Sequence, residues 1–499
     1  MRRVLCLLLV AAMLLGFAGC AGGTGTSAPT SEPPVSDAST HTGPANFAVA
    51  YSREDTLDPF AAQTAVNVAL AGLLYSGLTA IDGSFTPQLA LAESVERTDA
   101  THLKATLRRG AVFSDGSAIQ PSDVVTSFQQ ARSSANYRAL LENVTAATAD
   151  KKANTVVFTL ASADPHAEAC LSFPVVKAGT LTTQAGAAPV GAGLYMLKTD
   201  GDEASLQCNP YAGSTPQYTT VGLRHLPNAD TMYYGLTSGN ITYYFNDLSS
   251  GVLPRVTGAS AAVDMNALLY LGVNSASAGV SNAAVRQAIS GLIDRKSLVE
   301  SAFSGWARAA STPFHPVFGA ARELTGIAAG RDLTGSVQLL EGAGYGTAAE
   351  QTRLTLELIY SNEGGSRSAA VEQVRSQLES AGVQVTVTPL SYAEYKSRLS
   401  AGRYDLYLGE VRLPANMSLA ALMPGGAAAY GISSESPAVA AYRQYLAGEI
   451  TMQVFTDAFL QDLPYIPLCW RSGFAAFDRR LATVTPHGFN VYYGFAAWQ

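Results

Sequence analysis

Cysteine, histidine and the scattered charged residues are the groups through which this chain could do chemistry, and their spacing points away from catalysis. Five cysteines stand at positions 6, 20, 170, 208 and 469, with no C-x-x-C pair of the kind that holds zinc or exchanges disulfides. The six histidines (His41, His102, His166, His225, His315 and His487) include no pair four residues apart, the spacing that sets two imidazoles on one helix face. G-x-S-x-G, S-x-x-K, H-E-x-x-H and P-loop patterns do not occur. The chain is therefore read as a non-enzyme with no cofactor and no metal site. What remains is binding, and the residues to examine are polar groups at the ends of predicted strands.

The elements that would position them read as mixed α/β. The clearest unit begins with the strand LTLELIYS (354–361). A helix follows with Val371, Val374 and Leu378 on one face and Gly382 as its stop. VQVTVTPL (383–390) returns as a strand, Ser391 and Glu394 form a capping box that opens a second helix, and YDLYLGEV (404–411) is a third strand. This β-α-β-α-β order implies an open, mainly parallel sheet, whose ligands bind beyond the carboxyl ends of the strands. Tyr360, Asn362, Glu410 and Arg412 then fall on the rim, followed by Asn416. Tyr51 and Glu54, at the end of the strand FAVAYS (47–52), are further rim candidates. Strand patterns also occur at 102–109, 155–161, 219–226 and 268–274.

Arg2 and Arg3 precede an uncharged stretch from Val4 to Gly19, shorter than the ~20 residues of a spanning helix and shaped like an export signal. It ends Phe17-Ala18-Gly19-Cys20, similar to the bacterial lipoprotein signal, in which the cysteine is acylated and becomes the first mature residue. Residues 1–19 are thus expected to be removed, and 20–44 to form a lipidated Cys20 and a Gly/Ser/Thr/Pro-rich tether. No later segment offers a continuous apolar run of spanning length, which leaves the acyl chain as the membrane contact.

The 499 residues suffice for about three domains. The formal charge of −7 falls to −9 once Arg2 and Arg3 are lost, and no Lys/Arg run exceeds two, so neither nucleic acid nor an anionic lipid surface is an expected partner. Three cysteines in the exported body allow one bridge; Cys170 and Cys208 are nearest in sequence, and the connectivity stays open.

From residue 57 onward the motifs are specific. Leu57-Asp58-Pro59, LLYSGLT (73–79) and FTPQLALAESVE (85–96) lead into Leu107, Arg108, Gly110, Phe113, Asp115, Gly116, Asp123, Val124 and Ser127. PVGAGLY (189–195), AVRQAISGLIDRKSLVESAFSGWA (284–307), VQLLEGAGY (337–345) and DLPYIPL (462–468) continue the series. Together they resemble extracytoplasmic solute-binding proteins of family 5, the peptide, nickel and sugar receptors of ABC importers. Asp115-Gly116 reads as a tight turn, Pro121-Ser122-Asp123 as a helix start, and Asp294-Arg295 as a cap or local ion pair late in a helix.

The resemblance implies a two-lobed, periplasmic-binding-protein-like fold of type II with three domains. The first would take 45–72, 189–268 and 473–499, the inserted second 73–188, and the second lobe 269–472. It implies a monomer outside the cytoplasmic membrane, anchored by lipid on its outer face or periplasmic, capturing oligopeptides or dipeptides for ABC permease subunits with a separate ATPase. Glu410 would then take the peptide's ammonium and Arg412 a carboxylate, although the family's usual Trp after Gly409 is absent. Nickel-chelate or oligosaccharide capture on the same scaffold, a secreted hydrolase and a peptide-sensing receptor are the alternatives.

Overall fold

Apolar and β-branched runs between residues 243 and 477 build the central sheet. The computed structural model describes residues 43–251, 258–349 and 351–499. The residues read from sequence as an export signal, a lipidated Cys20 and a tether fall, as far as residue 42, outside the described residues. Seven strands join in the sheet: β1 (Tyr243–Asn246), β2 (Ala259–Val273), β3 (Ala307–Ala309), β4 (Thr355–Ser361), β5 (Gln384–Leu390), β6 (Leu406–Arg412) and β7 (Tyr465–Phe477). Their order is β1-β7-β2-β6-β4-β5, with β3 beside β7.

β4 pairs in parallel with both β5 and β6, as the β-α-β-α-β reading requires. β2 and β7 run antiparallel to their neighbours, so the sheet is mixed. Both are long, at 15 and 13 residues, and every residue of β7 is buried. Such an apolar run on both faces is what a strand inside a covered sheet demands. Within it Arg471 is the single charge.

Helices cover the sheet: α1 (Ala283–Leu292), α2 (Arg295–Phe303), α3 (Gly365–Glu379), α4 (Tyr392–Ser400) and α5 (Met452–Asp462). On α3 the predicted face is buried through Val371, Val374 and Leu378, and Gly382 has the left-handed φ of 86° that ends the turn. The Ser391–Glu394 capping box opens α4. One expectation is corrected: Asp294 and Arg295 do not lie late in a helix. Ile293 is extended, and the Asp294 side chain accepts from Ser297 N at 2.9 Å, so a new helix starts there. Arg295 is wholly buried and donates to the carbonyls of Pro467 and Ser290, tying the break to β7.

Among the described residues three smaller sheets complete the architecture, one of them the antiparallel pair Thr79–Ile81 and Pro87–Leu89. Strands Phe47–Tyr51, Thr220–His225, Glu203–Cys208 and Tyr195–Asp200 lie side by side in that order. Strands Ala92–Asp99, His102–Leu107, Thr155–Leu160 and Val144–Asp150 form an antiparallel sheet against the helix Pro121–Ser133, with Phe113, Phe128 and Phe158 in its core. Asp115 accepts from Ser117 N within the predicted turn and pairs with Lys177 at 2.6 Å. Cys170, Cys208 and Cys469 are all free, so the Cys170–Cys208 bridge does not form.

Candidate binding site

Register brings charged residues of β6 and β7 together on either side of β2. Ala267 on β2 pairs with Arg412 of β6 on one side and with Arg471 of β7 on the other. Glu410 lies two residues from Arg412, hence on the same face of β6. Arg471 Nη1 reaches Glu410 Oε2 at 3.3 Å across β2.

A second guanidinium shares that carboxylate. Arg367, in the first turn of α3, places Nη2 3.5 Å from Glu410 Oε2. Asp247, just past β1, receives Arg412 Nη2 at 2.5 Å on its carboxylate and Arg471 Nη2 at 2.9 Å on its backbone carbonyl. Burial raises the Asp247 pKa, but hydrogen bonds from Ser249 and the Arg412 guanidinium outweigh it and hold the group below its ordinary value. The Arg471 side chain is only 5% exposed, against 16% for Glu410 and 48% for Arg412. The cluster is therefore graded, with the most buried cation innermost.

A cavity of about 60 Å³ opens beside it, between Leu248 and Gly251 on one side and Phe303, Trp306 and Ser366 on the other, with Arg471 in its wall. Gly251, at φ 74°, lets the loop after β1 come close to α3: a Cβ there would stand 3.0 Å from the Ser366 nitrogen. Trp306 packs on Phe474 at 5.1 Å, and its carbonyl accepts from Ser472 N.

Of the residues named from sequence, Glu410 and Arg412 belong to this cluster. Tyr360 and Asn362 end β4 nearby in the chain: the Tyr360 hydroxyl meets Ser368 Oγ at 3.2 Å, and Asn362 is exposed with its N–H on Leu390 O. Asn416 is buried elsewhere, donating to Asp164 at 2.7 Å and so joining the segment after β6 to the one before the 3₁₀ turn at Ala167–Ser172. Tyr51 is buried at the end of its strand, and the exposed Glu54 faces His225 at 3.8 Å; no interaction links either to the arginines among the described residues. Arg367, Arg471, Asp247 and Trp306 were not singled out by sequence. For Arg471 a signal exists, a lone charge inside YIPLCWRSGFAAF.

The model of bacterial extracellular solute-binding proteins, family 5, matches residues 86–418, well over half of the chain. The chain belongs to this family. Among curated relatives of this solute-binding protein, Protein XP55 of Streptomyces lividans is 26% identical over 441 residues, covering 81% of this chain and 77% of the relative. The glutathione-binding protein GsiB of Salmonella choleraesuis (strain SC-B67) is 25% identical over 361 residues, 67% of each chain. The fold is shared with the unliganded open form of the periplasmic murein tripeptide-binding protein MppA, at a TM-score of 0.73 and 17% identity, covering 88% of this chain and 94% of that one. The two-lobed type II fold expected from sequence is the one observed.

Proposed function

We propose that this chain is the lipid-anchored substrate-binding component of an ABC importer, which captures oligopeptides or dipeptides in the cleft beside Arg471 and delivers them to a permease. The carrying observation is the guanidinium of Arg471, 5% exposed, in the wall of the cleft of a family 5 protein. Glu410 and the Asp247 carbonyl take two of its five N–H donors among the described residues, and a guanidinium with donors to spare in a cavity wall suits an anionic group on the ligand. The names of GsiB and MppA, a glutathione and a murein tripeptide binder, support short peptides that carry carboxylates. In this reading 45–72, 189–268 and 473–499 form the first domain, 73–188 the second and 269–472 the far lobe. The lobes close on ligand by the hinge motion known for such receptors. Cys20 carries the lipid and holds a monomer to the outer face of the membrane.

Thermal denaturation of purified protein with peptide pools tests the reading, because a ligand that binds only the native state raises the melting temperature. A shift with peptides is expected. No shift with any peptide pool, alongside a shift with nickel–histidine or an oligosaccharide, overturns it.

A further inference from the structure

We infer that the cleft holds its ligand by a carboxylate, seated on Arg471 at the start of α3, and that Glu410 is not a seat for the ligand's ammonium group. The inference rests on the peptide reading and names the ligand class within it.

The argument begins with charge. Three guanidiniums, of Arg367, Arg412 and Arg471, meet two carboxylates, of Glu410 and Asp247, and the ion pairs among the described residues bring no third acid to them. One positive charge is left over. Glu410 spends its Oε2 on two arginines, so an incoming ammonium would meet a carboxylate already neutralised, with cations on both sides.

The leftover charge borders the cavity. Among the described residues none around it is acidic, and Arg471 is the only ionised group of its wall. Arg471 uses Nη1 on Glu410 and Nη2 on the Asp247 carbonyl, two of the five N–H donors of a guanidinium. Ser366, the second residue of the 15-residue helix α3, faces the same space, so a first-turn N–H and the positive end of the helix dipole add to the field of Arg471. Guanidinium and orphan N–H groups together suit a carboxylate, by charge-assisted hydrogen bonds of the stronger kind. A carboxylate would also bring the cluster to neutrality.

A peptide's C-terminus and an acidic side chain are the two sources of such a carboxylate, and the test separates them. Purified protein is titrated with tripeptide pools built from Gly, Ala, Ser, Leu and Tyr in four forms: free at both ends, N-acetylated, C-amidated, and blocked at both ends. A fifth pool is blocked at both ends and carries one Glu. The free and N-acetylated pools are expected to bind alike, with amidation weakening binding at least about tenfold. Recovery of affinity by the Glu pool assigns the seat to a side-chain carboxylate. Weakening by acetylation but not by amidation, or by neither, overturns the inference and leaves the peptide reading standing. Failure of all five pools to bind removes the peptide reading and the inference with it. Arg471→Lys keeps the charge and loses the fork, and Arg471→Gln loses both; the preference for free acid over amide should shrink in the first and vanish in the second. Should Arg471→Gln not fold, Arg471→Lys and the wild-type pools decide, and an unchanged acid preference in Arg471→Lys with wild-type affinity counts against the seat.

Discussion

Glu410 and Arg471 form an ion pair of 3.3 Å across the intervening strand β2, where Glu410 is in register with Leu269 and Arg471 with Ala267. The pair explains how a buried strand tolerates a guanidinium, and it makes Glu410 a partner of the fold. Glu410→Gln removes the charge shared by Arg367 and Arg471 while keeping the shape. A loss of about 1–3 kcal/mol of stability is expected, the usual result of leaving a hydrogen-bonded charge without its partner. Peptide binding through a free carboxyl should persist in the variant. Urea denaturation and titration with the N-acetylated pool measure the two effects, and unchanged stability with abolished binding would reverse the assignment.

The scaffold was legible because its signals are local. The β-α-β-α-β unit declared itself through period, the Gly382 stop and the Ser391 cap, and parallel pairing of β4 with β5 and β6 followed. Val144–Asp150 hid because Thr and Ala on an edge strand leave most of its positions exposed and no alternation to read. The break at Asp294 hid because its apolar period continues through both helices, and only the Asp294–Ser297 cap separates them. At the cleft, Glu410 and Arg412 were visible as charges ending a strand. Arg367, Asp247 and Arg471 were not, since they come from three distant segments, the start of α3, the loop after β1 and the strand β7, which only the fold brings together.

Gly272 and Tyr407 face each other between β2 and β6, and Tyr270 and Gly409 repeat the exchange two residues along. Each tyrosine ring lies over the opposite glycine, so that a Cβ on Gly272 would collide with the Tyr407 ring. Gly272→Ala should therefore cost about 1–3 kcal/mol, the range for forced overpacking of a core. Combining it with Tyr407→Val, which withdraws the ring, should give a loss well short of the sum of the two single changes. Strict additivity in urea melts would show that the ring and the glycine are not coupled.

Arg286 on α1 and Asp462 at the end of α5 form the most enclosed ion pair among the described residues, 2.6 Å long with side chains 7% and 10% exposed. Arg286 also donates to the carbonyls of Asp462, Val280 and Ser281, so its donors are well used. Asp462→Ala strands this guanidinium and is expected to lower stability by about 3–5 kcal/mol, whereas Arg286→Met with Asp462→Leu should lose less than the single change. Chemical denaturation of the three proteins checks the order, and a double variant worse than Asp462→Ala would contradict it.

His315, His487 and His166 make stability depend on acid. Burial, chiefly, pushes all three from 6.5 down to about 4. The unfolded chain binds these protons below its ordinary histidine value while the folded chain still refuses them, so stability is complete above about pH 6.5 and falls as pH drops toward 4. Each histidine contributes on the order of 1–3 kcal/mol to the fall. His315 packs at a tilt against Phe85 at 5.0 Å and edge-on to Trp470 at 4.9 Å and accepts from Val317 N through Nδ1, so protonation would also remove that acceptor. Asp58 and Asp164, whose burial raises their carboxyl pKa, act with the opposite sign and reduce the net slope. The His315 contribution is isolated by comparing wild type with His315→Gln in urea at pH 7, 6, 5 and 4. The gap between the two proteins should narrow steadily with acid; a constant gap would show that His315 takes up its proton equally in both states.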